Sequence, residues 1–344
     1  MMKIAQISPL HESVPPKMYG GTERIVSYLT EELVERGHQV TLFASADSIT
    51  KAELISPGCK ALRLIKNCVD PLSYHFLMLE MIQKEMQRFD IIHYHLDYIH
   101  YSYSRKNKTP HVTTLHGRLD IPELIPLFNE FKEMPVISIS NSQKQPFSEI
   151  NWKATIHHGL PENKYTFNSK PEDYFAFIGR FAPEKRPEIA IELCQKTNTK
   201  LKLAAKVDRA DEEYYKAIVE PLLKQPNVNY IGEINDGDKT NFLGNAIALI
   251  FPINWPEPFG LVMIEAMACG TPVIAWNYGS VSEVIEHGIN GFIVNTMDEA
   301  IEAINNIHKI DRKKVRESFE KRFTVKKMTD EYLNAYEEII SSNK

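Results

Sequence analysis

The chain has 344 residues, more than one ordinary core encloses, and this length suits two domains of middling size. Hydrophobic residues make up 43% and charged residues 25%, the composition of a soluble globular protein. A formal net charge of -5 argues against a general nucleic-acid partner. The four cysteines, Cys59, Cys68, Cys194 and Cys269, lie far apart. No pair has zinc-type spacing and no disulfide framework is indicated, so reduced thiols in a cytoplasmic protein are expected.

At the N-terminus, Lys3 to Ser8 is a short apolar run that Pro9 stops, and no signal peptide is expected there. No stretch approaches the roughly 20 apolar residues that span a bilayer. Ile4 to Ser8 predicts a first strand. Glu23 to Arg36 predicts a helix with Ile25, Val26, Leu29, Leu33 and Val34 on one face, ended by Gly37. Further strands are expected at Val40 to Ala44, Ile91 to Tyr94, Val112 to Leu115 and Val136 to Ser140. A second series starts near Tyr174, with strands at Phe175 to Ile178, Leu201 to Ala205, Val228 to Ile231 and Ala248 to Phe251, and a helix from Pro187 to Gln195. The polar stretch His157 to Asp173, with Gly159, Pro161 and Pro171, reads as the linker between the two series. Val325 to Ile340 has helical spacing at Met328, Tyr332, Leu333 and Tyr336. Strands separated by helices imply parallel sheets covered on both faces, so the fold class is α/β. Ligands of such sheets bind at the carboxyl ends of the strands, and the loops there are the places to search.

Tyr19-Gly20-Gly21-Thr22-Glu23-Arg24 opens the first long helix, and paired glycines at a helix N-terminus let a phosphate or sugar approach the backbone, although a plain turn explains them equally well. No G-x-G-x-x-G occurs there, which argues against a nicotinamide cofactor. Thr113-Thr114-Leu115-His116-Gly117 places His116 at a strand's carboxyl end, and His93 and His95 end another strand; a core or surface histidine is an equally good reading of each. Tyr94, Tyr98, Tyr101 and Tyr103 read as a partly buried helix face more readily than as a sugar platform. The basic cluster Arg105, Lys106 and Lys108 is the one local hint of a membrane surface, and a solvated loop explains it more simply.

Gly179-Arg180-Phe181-Ala182-Pro183-Glu184-Lys185-Arg186 follows the first strand of the second series. Gly179 is read as permitting a tight turn, and Arg180 and Lys185 bring two fixed cations to the strand end, where they would stabilise a departing diphosphate without a metal, although an Arg-Lys loop taken alone is more often a solvated surface. Glu257-Pro258-Phe259-Gly260-Leu261-Val262-Met263-Ile264-Glu265 follows the strand ending at Phe251, and Trp255, Pro256 and Pro258 force an irregular loop between them. Pro258 cannot sit inside a helix, so the helix starts near Phe259 or Gly260, and its first amides are a ready anion site. Glu265 falls in the second turn among apolar neighbours, a costly place for a carboxylate unless it is paired. Ribose hydroxyls are suitable partners; a nearby lysine is the bland alternative. The acidic groups Asp208, Asp211, Glu212 and Glu213 read as a helix start and an exposed face, and Asp236 and Asp238 as a turn, so no metal site is expected.

Glu257 and Glu265, followed by Ala-Met-Ala-Cys-Gly-Thr-Pro-Val-Ile-Ala, resemble the donor signature of GT4-type retaining glycosyltransferases (glycosyltransferase group 1). The resemblance extends over nearly the whole chain, through Gly20-Gly21-Thr22-Glu23, Asp90-Ile91-Ile92-His93, His116, the Gly179 to Lys185 loop and Asn290-Gly291-Phe292. It implies a GT-B fold: two Rossmann-like domains with a central cleft, an acceptor-side domain at 1–165, a nucleotide-sugar donor domain at 166–323, and a C-terminal helix at 324–344 packing back on the first domain. It implies metal-independent transfer of a sugar, a hexose by expectation, from a nucleoside-diphosphate sugar to a glycosyl acceptor with retained configuration and no cofactor. By the same resemblance Arg180 and Lys185 hold the diphosphate, Glu265 the ribose, and Glu257 the transferred sugar. Amides of Phe259, Gly260, Leu261 and Val262 help bind phosphate and sugar. His116 approaches the sugar, and Gly20 and Gly21 lie near the phosphates. Ala204-Ala205-Lys206 and His157-His158-Gly159-Leu160 depart from the usual family turns and leave the donor's identity open. A non-hydrolysing sugar-nucleotide epimerase on the same architecture is one alternative, and free epimerised sugar nucleotide would distinguish it. A catalytically silent sugar-nucleotide-binding partner is another, and binding without turnover would distinguish that.

Overall fold

Short runs of β-branched and aromatic residues become strands where Pro, Gly or Asp bounds them, and the amphipathic stretches between them become helices. The computed structural model describes every residue except Met18, Tyr19, Asn67, Asn343 and Lys344. It divides into two compact units, the first made of Met1–Gly159 with Val325–Lys344 and the second of Leu160–Thr324.

The first unit holds strands β1 (Lys3–Ile7), β2 (Gln39–Phe43), β3 (Glu53–Ile55), β4 (Ile91–Tyr94), β5 (His111–Thr114), β6 (Val136–Ser138) and β7 (Trp152–Thr155). They form one parallel sheet in the order β3-β2-β1-β4-β5-β6-β7. The chain order reverses between β1 and β4, which makes their carboxyl ends the switch point of this sheet. The helix Gly21–Glu35 buries Ile25, Val26, Leu29 and Leu33, the stripe expected from its spacing. The C-terminal helix Val325–Ser342 belongs to this unit and buries Met328, Tyr332, Tyr336 and Ile339.

The second unit holds β8 (Phe175–Arg180), β9 (Leu201–Lys206), β10 (Val228–Tyr230), β11 (Leu249–Phe251), β12 (Val273–Trp276) and β13 (Gly291–Val294). They too are parallel, in the order β10-β9-β8-β11-β12-β13, with the reversal between β8 and β11. The ends of β8 and β11 are where Arg180 and the Glu257 loop begin.

Each strand expected from the sequence is present within a residue or two at its ends. β3, β7, β12 and β13 come in addition to those, as does the helix Leu72–Glu85. All four added strands are only three or four residues long, too short to set a period. Gly179 does not make a turn: it lies inside β8, paired with Ala205 in the register Phe175–Arg180 against Leu201–Lys206. The same pairing puts Ala204, Ala205 and Lys206 in β9. The turn after β8 comes later, where Arg186 takes a left-handed φ of 50° before the helix Pro187–Lys196. Tyr94 and Tyr101 are interior residues; Tyr94 stacks on His100 with ring centroids 3.6 Å apart. Arg105 is committed to Glu130 and Glu133 and covers the Phe131 ring at 4.3 Å, so its charge is already met within the unit.

Candidate active site

In the second unit the chain leaves β11 through Pro252 and reaches the helix Leu261–Ala268, with Gly260 as its N-cap at φ 77°. A side chain at Gly260 would be strained by that angle and would strike Met263 Cε at 2.8 Å. Leu261 and Val262 precede the first internal bond, from Met263 N to Gly260 O at 3.0 Å, so their amides are the orphan donors that open the helix. The loop before the helix is pinned from behind. Ser280 N donates to Glu257 O at 3.0 Å and Ser280 Oγ to Phe259 O at 2.7 Å. Gly279 lies so close that a Cβ would come within 2.3 Å of the Glu257 backbone nitrogen and oxygen. Phe259 is buried and meets Phe323 edge-on.

The Glu257 carboxylate faces two donors. Its Oε2 accepts from Lys185 Nζ and from Trp255 Nε1, the latter at 2.9 Å. Lys185 Nζ also lies 4.7 Å from the centre of the Trp255 ring. Lys185 and Glu257 therefore meet at the β8 and β11 ends, with 15% and 12% of their side chains exposed.

Glu265 is 2% exposed, so its charge must be met inside the protein. Oε1 accepts from Tyr165 Oη at 2.9 Å and from Lys239 Nζ at 2.8 Å. Lys239 in turn reaches Asp236 Oδ1 at 3.7 Å, and Asp236 pairs with Lys164. Oε2 takes no hydrogen bond among the described residues. The lysine pairing and the apolar burial expected for Glu265 thus coexist, and the pairing occupies one oxygen only.

Arg180 ends β8 and is surrounded by carboxylates. Its guanidinium donates to Glu184, to Asp211 Oδ2 at 3.1 Å and to Asp208 Oδ2 at 3.4 Å. Lys206 Nζ reaches Asp208 Oδ1 at 2.7 Å. Burial alone would raise the Asp208 carboxyl, and these partners hold it below its ordinary range. Burial outweighs the nearby Arg180 charge at Asp211 and pushes that carboxyl up. Among the described residues, no group of three or more His, Cys, Asp or Glu side chains is arranged to hold a metal ion.

The first unit contributes the remaining sequence candidates. Gly20 caps the helix Gly21–Glu35 in extended backbone, and a Cβ there would meet Pro16 Cβ at 2.7 Å. Gly21 is the first helical residue and is exposed. Tyr19 lies outside the described residues. Glu23, in the first turn, is 5% exposed, and burial raises its carboxyl. His116 follows β5 and is only partly exposed; its Nε2 meets His95 Nδ1 at 2.8 Å and its ring stacks on His158 at 5.3 Å. Its amide donates to Asp97, a residue with a left-handed φ of 49°. Burial depresses the His116 imidazole to about 3, so the ring is neutral at pH 7.

Two family models match consecutive parts of the chain: Glycosyltransferase Family 4 over residues 19–161 and Glycosyl transferases group 1 over residues 162–324. The chain belongs to the group 1 glycosyltransferases. An uncharacterised glycosyltransferase of Methanocaldococcus jannaschii is 26% identical, with 85% of this chain and 85% of that protein aligned. The sucrose-phosphate synthase of Thermosynechococcus elongatus superposes with a TM-score of 0.80 at 19% identity, over 99% of this chain and 100% of that one. HepE of Anabaena, crystallised with UDP-glucose, superposes with a TM-score of 0.72 at 20% identity, over 99% and 100%. At such identities these structures share the fold, which is the GT-B arrangement of two Rossmann-like sheets.

In this transferase the groups that hold the candidate residues are the ones sequence reasoning misses. Asp208 and Asp211 are not an exposed face; they close on Arg180. Trp255 does more than shape its loop, because its indole N–H donates to Glu257. Tyr165 and Lys239 meet Glu265 from 100 and 26 residues away, and no local pattern announces them. Gly279 carries a readable signal, since a glycine soon after a strand invites a question about close approach. Asn290 and Gly291 serve the scaffold: Asn290 Nδ2 donates to Ser318 Oγ at 3.0 Å, and Gly291 packs against Val273 O too closely for a Cβ.

Proposed function

We propose that this transferase moves a sugar from a nucleoside-diphosphate sugar to a glycosyl acceptor, with retention of configuration and without a metal ion. The observation that carries the reading is the convergence of Lys185, Glu257 and the Gly260 helix start at the β8 and β11 ends, with Glu265 in the second turn of that helix. Ligands of parallel sheets bind at such switch points. Leu261 and Val262 offer amides to phosphate oxygens, and Arg180 and Lys185 offer fixed positive charge.

In the reaction the bond from the anomeric carbon to the phosphate oxygen breaks, and a bond to the acceptor oxygen forms on the same face. Negative charge grows on the diphosphate as it leaves, and Arg180 and Lys185, which here pair with Glu184, Asp208, Asp211 and Glu257, stabilise it by turning from those carboxylates to the phosphate oxygens. The acceptor's proton ends on the diphosphate, the base that the reaction itself releases. Glu265 Oε2 is suited to the ribose hydroxyls, Glu257 to the transferred sugar, and the neutral His116 ring to a sugar hydroxyl. A fold neighbour crystallised with UDP-glucose supports a nucleotide-sugar donor. No helix among the described residues is long and apolar enough to cross a membrane, and buried unpaired thiols at Cys59, Cys194 and Cys269 suit the reducing cytoplasm.

Thermal-shift screening against UDP-, GDP- and ADP-sugars, followed by transfer assays with the best donor and a mixed acceptor panel, tests the proposal. Stabilisation by one nucleotide class with product formation is expected. Binding without turnover on any acceptor, or release of epimerised free donor, would overturn it.

A further inference from the structure

A hydrogen-bonded chain runs from the C-terminal helix to His116. Gln6 Nε2 donates to Tyr336 Oη at 3.1 Å, Gln6 Oε1 meets His95 Nε2 at 2.9 Å, and His95 Nδ1 meets His116 Nε2 at 2.8 Å. A branch joins the same phenol to His93 Nδ1 at 2.7 Å. It continues from His93 Nε2 to Thr114 Oγ1 at 2.7 Å and on to Tyr332 Oη at 3.0 Å. Gln6, His93, His95, Thr114, Tyr332 and Tyr336 are all buried. Burial drives the His93 and His95 rings well below their ordinary values, so both are neutral.

A neutral imidazole has one N–H and one bare nitrogen. Gln6 Oε1 can only accept, so His95 carries its proton on Nε2 and its Nδ1 is bare. His116 must then donate through Nε2, which leaves its own Nδ1 bare. That Nδ1 is buried and has no hydrogen-bond partner among the described residues. Turning the Gln6 amide over would reverse every donor along the line and make His116 Nδ1 a donor instead. Tyr336 Oη has a single proton. It takes the Gln6 N–H and gives its own proton to His93 Nδ1, so the main line and the branch are locked in matching polarity.

We propose that Gln6, His95 and Tyr336 are positioning residues that hold His116 as its Nε2–H tautomer and make Nδ1 a hydrogen-bond acceptor for a substrate hydroxyl. The tautomer half of this proposal stands on the network with the Gln6 amide nitrogen on Tyr336 and its oxygen on His95. The substrate half rests on the transferase reading above. Tyr332 and Thr114 end the branch and act on His116 only through Tyr336.

The test is long-range proton–nitrogen correlation NMR on the full chain labelled with 15N-histidine, with His116 assigned from the signals lost in His116→Gln. The wild type should show a protonated Nε2 and a bare Nδ1 at His116. In Tyr336→Phe the Gln6 amide loses its anchor, and His116 should become a mixture of tautomers. Turnover should fall about tenfold while the donor KM stays within about twofold, a split that general loosening of the fold would not produce. Gln6→Met breaks the same line at a different residue and should behave alike; it serves if Tyr336→Phe does not fold. A protonated Nδ1 in the wild type, or an unchanged His116 tautomer in either variant, would overturn the proposal. A changed tautomer with unchanged turnover would overturn its substrate half. Absence of turnover in the wild type would instead count against the transferase reading, while the tautomer at His116 would still be read from the spectrum.

Discussion

Glu265 offers the sharpest separation between scaffold and site. Its Oε1 is occupied by Tyr165 and Lys239, and its Oε2 has no partner among the described residues. Glu265→Gln keeps an amide oxygen for those two donors and changes mainly the other position, from a charged acceptor to an N–H donor. Loss of a hydrogen bond to a charged group costs about 1.5–3 kcal/mol, so nucleoside-diphosphate affinity should fall roughly 10- to 150-fold. Glu265→Ala removes both oxygens. Tyr165 Oη then loses its acceptor within a buried residue, at about 1–3 kcal/mol of stability in addition to the binding loss. Isothermal calorimetry with the bare nucleotide, beside thermal melts of all three proteins, separates the two effects. Wild-type nucleotide affinity in a folded Glu265→Gln would refute the assignment of Oε2 to the ribose.

Gly279→Ala should destabilise the second unit by about 2–3 kcal/mol, because a Cβ would meet the Glu257 backbone at 2.3 Å and φ is 58°; a melt unchanged within about a degree would show that the loop yields freely. The first unit should lose stability on acidification. His116 titrates near 3 when folded and near 6.5 when unfolded, so its contribution is complete above about pH 6.5 and falls as the pH drops toward 3. At pH 5 it accounts for a loss of about 2 kcal/mol, and buried neutral His93, His95 and His158 act in the same direction; melts at pH 7.5 and 5.0 that coincide would contradict this. On the proposed reading, in which Arg180, Lys185 and the helix-opening amides would meet the phosphate charge, transfer activity should survive metal stripping with EDTA; a rate that collapses and returns with magnesium or manganese would overturn the metal-free reading.

Local rules carry the fold a long way and the site part of the way. Pro258 and Gly260 announce where the Leu261–Ala268 helix begins, and that start fixes Glu265 in its second turn. The alternation of a strand places His93 and His95 on one face, which is why both rings join one network. What meets those residues comes from elsewhere in the chain. Tyr336 lies 243 residues beyond His93, and Tyr165 lies 100 residues before Glu265. Periodicity carries no information on pairings of that range. Gly179 misleads because a glycine before an arginine looks like a turn, whereas the β8–β9 register carries the strand through both. Asp208 and Asp211 mislead for a related reason, since a run of acids looks solvated until a cation from another strand end closes on it.

The most direct test of the central claim is single-turnover release of nucleoside diphosphate from the bound donor, in wild type and in Arg180→Ala and Lys185→Ala, with donor affinity measured alongside. If these two cations stabilise the departing diphosphate, each folded variant should cleave the donor about a hundredfold more slowly or worse, with a smaller change in affinity. Wild-type rates in both variants would show that the β8 loop is a solvated surface and that the donor's charge is met elsewhere.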